Sequence, residues 1–104
     1  MIYDVRTYEV RPGTVGEYVE VFGTYALPVA ERHGLKLVGC LTSKVGRLNQ
    51  VIHIWEYQDL ADFDNKRAAR DADPGWAVYR SKAHDYLVRQ EDKIMSGAPF
   101  SPLR

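Results

Sequence analysis

Four side chains in this sequence have the types and spacing to act together: Arg6 and Tyr8 in the run Ile2–Val10, and His53 and Trp55 in the run Gln50–Tyr57. Both runs alternate as strands do, and a period of two puts each pair on one strand face. Val51, His53, Trp55 and Tyr57 then point one way, and Ile52, Ile54 and Glu56 the other. If the Arg6 and His53 faces look into the same space, that space holds a guanidinium, a phenol, an imidazole and an indole. A guanidinium grips a carboxylate or enolate bidentately. An imidazole with an ordinary pKa of about 6.5 moves protons near neutrality, the property of a general base. Trp55 and Tyr57 would stack on a planar or apolar molecule, and Trp76, with Tyr79 on the same helical stripe, would add a lid. A structural reading competes with this one. Arg6 has Asp4, Glu9 and Glu56 as possible ion-pair partners, His53 can be a satisfied core histidine, and Trp76 with Tyr79 can simply fill a core.

The other reactive side chains are isolated. His33 precedes Gly34, where an imidazole in the last turn of a helix can satisfy free carbonyls and complement the dipole. His84 and Asp85 are sequence neighbours, which do not face each other on a helix, and read as surface residues. Cys40 is the single cysteine, with no cation beside it, and is expected to be a buried, inert thiol. No His-x-x-x-His or Cys-x-x-Cys spacing is present, so neither a metal nor a cofactor site is predicted. Glycine-rich phosphate loops and nucleophile elbows are also missing.

The elements that must position these side chains can be read from 104 residues, enough for one domain over 1–104 with a modest core. Lys plus Arg and Asp plus Glu balance at 14 each, which argues against a dedicated nucleic-acid surface. No apolar run approaches the ~20 residues of a membrane span, the amino terminus enters a strand at once, and the expected location is cytoplasmic.

Ile2 to Val10 is the first strand, ended by Pro12-Gly13. Thr14 and Glu17 have the spacing of a capping box, and Tyr18, Phe22, Tyr25 and Val29 follow at helical intervals. Pro28 should kink this helix or restart it. Lys36 to Val45 is the second strand, Gly46 to Asn49 a tight hairpin turn, and Gln50 to Tyr57 the third strand. Asp59 to Asp62 open a second helix whose basic end, Lys66, Arg67 and Arg70, complements the dipole and reads as a solvated face. Asp73-Pro74-Gly75 interrupts it, with Asp73 as cap and Pro74 as the first residue of a further helix. Trp76, Tyr79, Ala83 and Leu87 form that helix's apolar stripe. A last strand runs to Met95, and residues 96–104 form an irregular tail. The order β-α-β-β-α-β predicts an α+β, ferredoxin-like antiparallel sheet with helices on one face. Its bare face calls for a second copy, and Tyr3, Val5, Thr7, Ile52 and Ile54 are the candidates to meet it.

Ile2-Tyr3-Asp4-Val5-Arg6-Thr7-Tyr8, Arg32-His33-Gly34 and Leu48-Asn49-Gln50-Val51-Ile52-His53-Ile54-Trp55-Glu56-Tyr57 resemble the NIPSNAP family, over the chain to about Met95. The resemblance implies a dimeric α+β barrel, in which two protomers join their sheets and keep their helices outside. Its wider superfamily includes cofactor-free monooxygenases, heme-degrading oxygenases, isomerases, dehydratases and stress-response barrels. In some oxygenase relatives the tryptophan matching Trp55 faces a helix-side pocket. An amide usually stands near the position of Arg6, where this chain departs from the relatives.

The expected function is binding of a small organic or aromatic ligand between sheet and helices, with Arg6 and His53 as candidate catalytic residues and Tyr8, Trp55, Tyr57 and Trp76 as candidate ligand contacts. One alternative is a cofactor-independent monooxygenase or isomerase in which Arg6 anchors an anion and His53 moves a proton. The other is a non-catalytic protein-interaction module.

Overall fold

A strand that enters at the second residue sets the frame of the computed structural model, which describes residues 1–104. β1 (Ile2–Val10) is followed by α1 (Val15–Val21), a π-helical segment (Phe22–Ala26) and α2 (Leu27–Arg32). Then come β2 (Lys36–Thr42), β3 (Gln50–Tyr57), α3 (Leu60–Ala72), α4 (Pro74–Ala83) and β4 (Leu87–Met95). The four strands form one sheet in the order β2-β3-β1-β4, with every neighbour antiparallel. This is the ferredoxin-like α+β arrangement.

Alternation decides the two faces. On β3, Val51, His53, Trp55 and Tyr57 are buried, while Gln50, Ile52, Ile54 and Glu56 are half-buried. Across to β1, Arg6 stands opposite His53, Asp4 opposite Trp55 and Tyr8 opposite Val51, so all share the helix-covered face. There Val51, Trp55 and Tyr57 join Tyr18, Phe22, Ala26, Val29, Trp76, Tyr79 and Ala83 in one apolar core. The other face carries Tyr3, Val5 and Thr7 opposite Glu56, Ile54 and Ile52. No helix covers it, but Tyr3 is only 5% exposed. The irregular tail turns back here, bringing Leu103 and Arg104 onto Gly97 and the Arg104 backbone near the Tyr3 hydroxyl, which donates to Glu56 Oε2 at 3.2 Å.

Local chemistry explains most element boundaries and corrects several expectations. Asp59 accepts the Asp62 backbone N–H at 2.8 Å and caps α3, and Asp73 accepts Gly75 N–H at 2.8 Å and caps α4 ahead of Pro74. The capping box at Thr14 does not form. Its hydroxyl donates to the Arg11 carbonyl at 2.6 Å instead of capping the helix. Pro28 restarts the helix as a second segment, as expected: α2 begins at Leu27 with the proline in its first turn. Proline offers no N–H to the carbonyl four residues back and crowds it, and the wider π-helical turn just upstream lets the chain continue into α2.

At the end of α2, Gly34 N–H donates to the Glu31 carbonyl and Leu35 N–H to the Ala30 carbonyl, with Gly34 at φ +80°. This is a Schellman turn, and its left-handed position favours glycine. His33 satisfies no carbonyl with its side chain. Its Nε2 lies 2.8 Å from Asp73 Oδ2, which Arg32 also contacts, so α2 is tied to the α3–α4 junction.

β2 stops at Thr42, short of Val45, because β3 begins at Gln50 and leaves no partner beyond Ser43. The expected tight turn is a longer connection through Ser43–Asn49, with positive φ at Gly46 and Asn49. Cys40, expected to be buried, is exposed, because β2 is an edge strand flanked on one side only. His84 and Asp85 are exposed.

Candidate functional site

No helix lies over β4, whose residues from Val88 to Met95 are all exposed. Beside it, between β1, β4 and the pair α3–α4, the fold leaves a cavity of about 260 Å³. Its floor is Arg6, Tyr8 and Leu87, and its aromatic wall is Trp76 with Tyr79. Arg67, Arg70, Asp71, Arg80 and Gln90 complete it, the last three being exposed at the rim. A wider depression between Leu27 and Leu37, about 470 Å³, has only Glu31 and Lys36 as charged groups.

Arg6 is held in place from three sides. Its Nε donates to Tyr8 Oη at 3.0 Å, and its Nη1 donates to Asp92 Oδ2 at 2.7 Å and to Asp4 Oδ2 at 3.3 Å. These neighbours keep the guanidinium firmly protonated although burial opposes the charge. Asp4 is 1% exposed, and its Oδ1 has no hydrogen-bond partner. Burial, reinforced by contact with Asp92 and opposed by Arg6, pushes its carboxyl up to about 7. The Asp4 carboxyl therefore changes protonation near neutrality behind Arg6.

The helical side adds arginines that were expected to be solvated. Phe63, Arg67 and Arg70 fall at i, i+4 and i+7 on α3, one face of a helix. Arg67 lies over the Phe63 ring at 4.9 Å, and its Nε is buried without a partner. Arg70 lies 4.1 Å over the Trp76 ring, is 6% exposed, and donates Nε and Nη2 to Asp71 Oδ1 at 3.1 and 2.8 Å. An arginine can bury its stem and the face of its guanidinium on an aromatic ring, so charge alone does not send it to solvent.

The structure divides the six candidate residues. Arg6, Tyr8 and Trp76 line the cavity; His53, Trp55 and Tyr57 do not. His53 shares the sheet face of Arg6 but is 1% exposed, because Phe22 from the π-helical segment stacks on its ring at 4.1 Å. Tyr8 stands edge-on to it at 5.0 Å, with Tyr18 and Trp55 beyond. Neither ring nitrogen has a partner, and burial, helped by the charge of Arg6, lowers its pKa to about 4. His53 is a neutral core imidazole with no surface on the cavity. Trp55 packs in the same core, and Tyr57 meets Phe63 edge-on at 5.1 Å, its phenol pushed up to about 12 by burial. The single shared space expected for all four chemical groups does not form: Arg6 and Tyr8 line the cavity, while His53 is covered by Phe22 and Trp55 lies in the core.

Arg67, Arg70 and Arg80, with Asp71, Leu87 and Gln90, are the lining residues that the sequence did not assign to a site. The signal for the first two was the aromatic–basic stripe Phe63-Arg67-Arg70 running into Trp76. Tyr79 pairs its hydroxyl with that of buried Tyr18 at 2.9 Å, which satisfies both phenols. No group of three or more His, Cys, Asp or Glu side chains is placed to hold a metal ion. No helix is long and apolar enough to cross a membrane.

Sheet order, helix placement and the cavity beside β4 define a ferredoxin-like α+β protein with an arginine-rich, aromatic cleft. The NIPSNAP family model matches residues 3–102, and the chain belongs to the NIPSNAP family. It is 33% identical over 105 residues to Protein NipSnap homolog 2 of Danio rerio, an alignment that covers 99% of this chain and 35% of that protein. The chain thus spans about a third of the length of the curated relatives it first matches. Among solved structures, a NIPSNAP family protein from Agrobacterium tumefaciens superimposes with a TM-score of 0.94 at 36% identity, covering 100% of this chain and 94% of that one. A putative antibiotic biosynthesis monooxygenase from Nitrosomonas europaea shares the fold alone, with a TM-score of 0.69 at 13% identity over 93% of this chain and 98% of that one.

Proposed function

We propose that the protein binds a small organic molecule with a planar or apolar body in the cavity between β1, β4 and α3–α4. The observation that carries this reading is the meeting of Trp76, Tyr79, Tyr8 and Leu87 with polar side chains around about 260 Å³ of open space. Small-molecule sites combine mostly apolar walls with a few placed polar groups, in volumes from roughly 300 Å³ upward. At about 260 Å³ this cavity lies just below that range, with four apolar or aromatic side chains beside its polar and charged ones.

The two tryptophans supply a test. Trp76 lines the cavity and Trp55 lies in the core behind it. In a Trp55→Phe variant the remaining emission comes from Trp76, and planar ligands from a panel of neutral and anionic compounds should quench it saturably. In Trp76→Phe, the same ligands should leave the emission of Trp55 nearly unchanged. If no compound in the panel gives saturable quenching in Trp55→Phe, the cavity is not a ligand site.

The bare sheet face supports a second copy as the partner. Val5, Thr7, Ile52 and Ile54 are only half covered there, and Leu41 and Met95 are 58% and 51% exposed on the same side. An apolar sheet face of this kind is stable when paired with another. Sedimentation equilibrium should give twice the chain mass for the wild type and the monomer mass for Ile54→Lys, in which a charge enters the centre of the face. A monomeric wild type at micromolar concentration would exclude this pairing.

A further inference from the structure

We infer that the natural ligand of the cavity is a carboxylate carried on a planar body, with α3 and α4 providing the charge that selects it. This rests on the reading of the cavity as a ligand site and specifies the class of molecule it takes.

Four guanidinium groups line the cavity, and Asp71 is the only acid among the lining residues. Two of the four are already compensated: Arg6 by Asp4 and Asp92, and Arg70 by Asp71. Arg67 and Arg80 form no ion pair, so the cavity holds two cations without a protein counter-charge. Hydrogen-bond capacity is left over as well. A guanidinium has five N–H donors. Arg6 uses Nε and Nη1 on protein groups and leaves Nη2 free, and Arg70 uses Nε and Nη2 and leaves Nη1 free. Arg67 donates to no protein acceptor, its buried Nε included.

Paired in-plane N–H donors match the two oxygens of a carboxylate, and such bonds are stronger when both partners are charged. Fixing Arg6 through Tyr8, Asp4 and Asp92 lowers the entropy lost when it grips a ligand. The rest of the wall is apolar and flat, from Trp76, Tyr79, Tyr8 and Leu87, which fits a planar body better than a heavily hydrated phosphate ester.

The test is calorimetric titration of the full chain with 2-naphthoate, its neutral amide analogue 2-naphthamide, and phenyl phosphate. The acid and the amide have nearly the same shape, so they differ mainly in charge. Naphthoate should bind at least tenfold more tightly than naphthamide at low salt. The difference should shrink severalfold in Arg80→Gln, a rim substitution at an exposed position that leaves the fold intact, and also as salt is raised. If naphthamide binds as well as naphthoate, the cavity is a ligand site but the charge assignment is wrong. If phenyl phosphate binds more tightly than naphthoate, the choice of carboxylate is wrong. If none of the three binds, this inference fails together with the ligand-site reading.

Discussion

Phe22→Ala is expected to lower folding stability by roughly 3–5 kcal/mol, the range for deleting a buried aromatic side chain. Phe22 is 6% exposed and meets rings from three other elements, β3, α4 and, through Tyr18, α1. It stacks on His53 at 4.1 Å, meets Tyr79 edge-on at 5.7 Å, and lies 6.1 Å from Trp55. Its neighbours on β3 and α4 are held by their own elements and cannot collapse fully into the space. The same change uncovers the face of the His53 ring on which Phe22 stacks. Water admitted there would give the ring nitrogens partners, so the His53 pKa should rise from about 4 toward its ordinary value. Urea denaturation measures the first effect, and titration of the His53 ring by NMR the second. A loss below about 1 kcal/mol with an unmoved His53 would show that Phe22 neither carries core stability nor isolates the imidazole.

The second large effect is a pair of opposed pH dependences hidden in the wild type. Asp4 has a folded pKa raised to about 7 from an ordinary 3.8, so the folded state binds its proton more tightly. Its contribution is complete below about pH 4 and is lost as pH rises through 7. His53 has a folded pKa lowered to about 4 from 6.5, so the unfolded state binds the proton more readily. Its contribution is complete above about pH 6.5 and is lost as pH falls through 4. Between pH 4 and 7 the two slopes oppose each other, and wild-type stability should change little on their account. Asp73, held down at about 2 first by His33 and then by Gly75 N–H and Arg32, acts only below that window.

Removing one member exposes the other. Asp4→Asn replaces the titrating carboxyl with an amide that can donate to Asp92 and accept from Arg6. This variant should gain roughly 2–3 kcal/mol between pH 4 and 7 as His53 alone titrates. His53→Leu should instead lose roughly 2–4 kcal/mol over the same range as Asp4 ionises among Arg6, Asp92 and Tyr57. Urea midpoints measured from pH 4 to 8 decide the matter. Two variants with profiles parallel to the wild type would mean that neither group titrates as its surroundings dictate.

Much of this structure can be followed from residue order. The alternation of Val51, His53, Trp55 and Tyr57 determined a strand with one buried face, because a period of two allows no other assignment of sides. The Asp73-Pro74 pair determined the break between α3 and α4, since proline cannot continue a helix from within but starts one well. Arg6 and His53 came to one face through the same alternation, once β1 and β3 were neighbours.

Periodicity says which residues share a side, however, and nothing about what stands opposite them. Only the packing of the π-helical segment on β3 put Phe22 over His53 and turned a candidate base into a neutral core ring. The tertiary structure alone likewise brought Trp76 of α4 beneath Arg70 of α3, so that a residue read as solvent-facing became part of the cavity wall. Both outcomes depend on contacts between elements distant in the chain, where shape and the fit of one ring or guanidinium on another decide burial. The residues themselves determined the elements and their faces; the tertiary structure decided which chemical groups reach a common space, because that depends on what the opposing layer leaves unfilled.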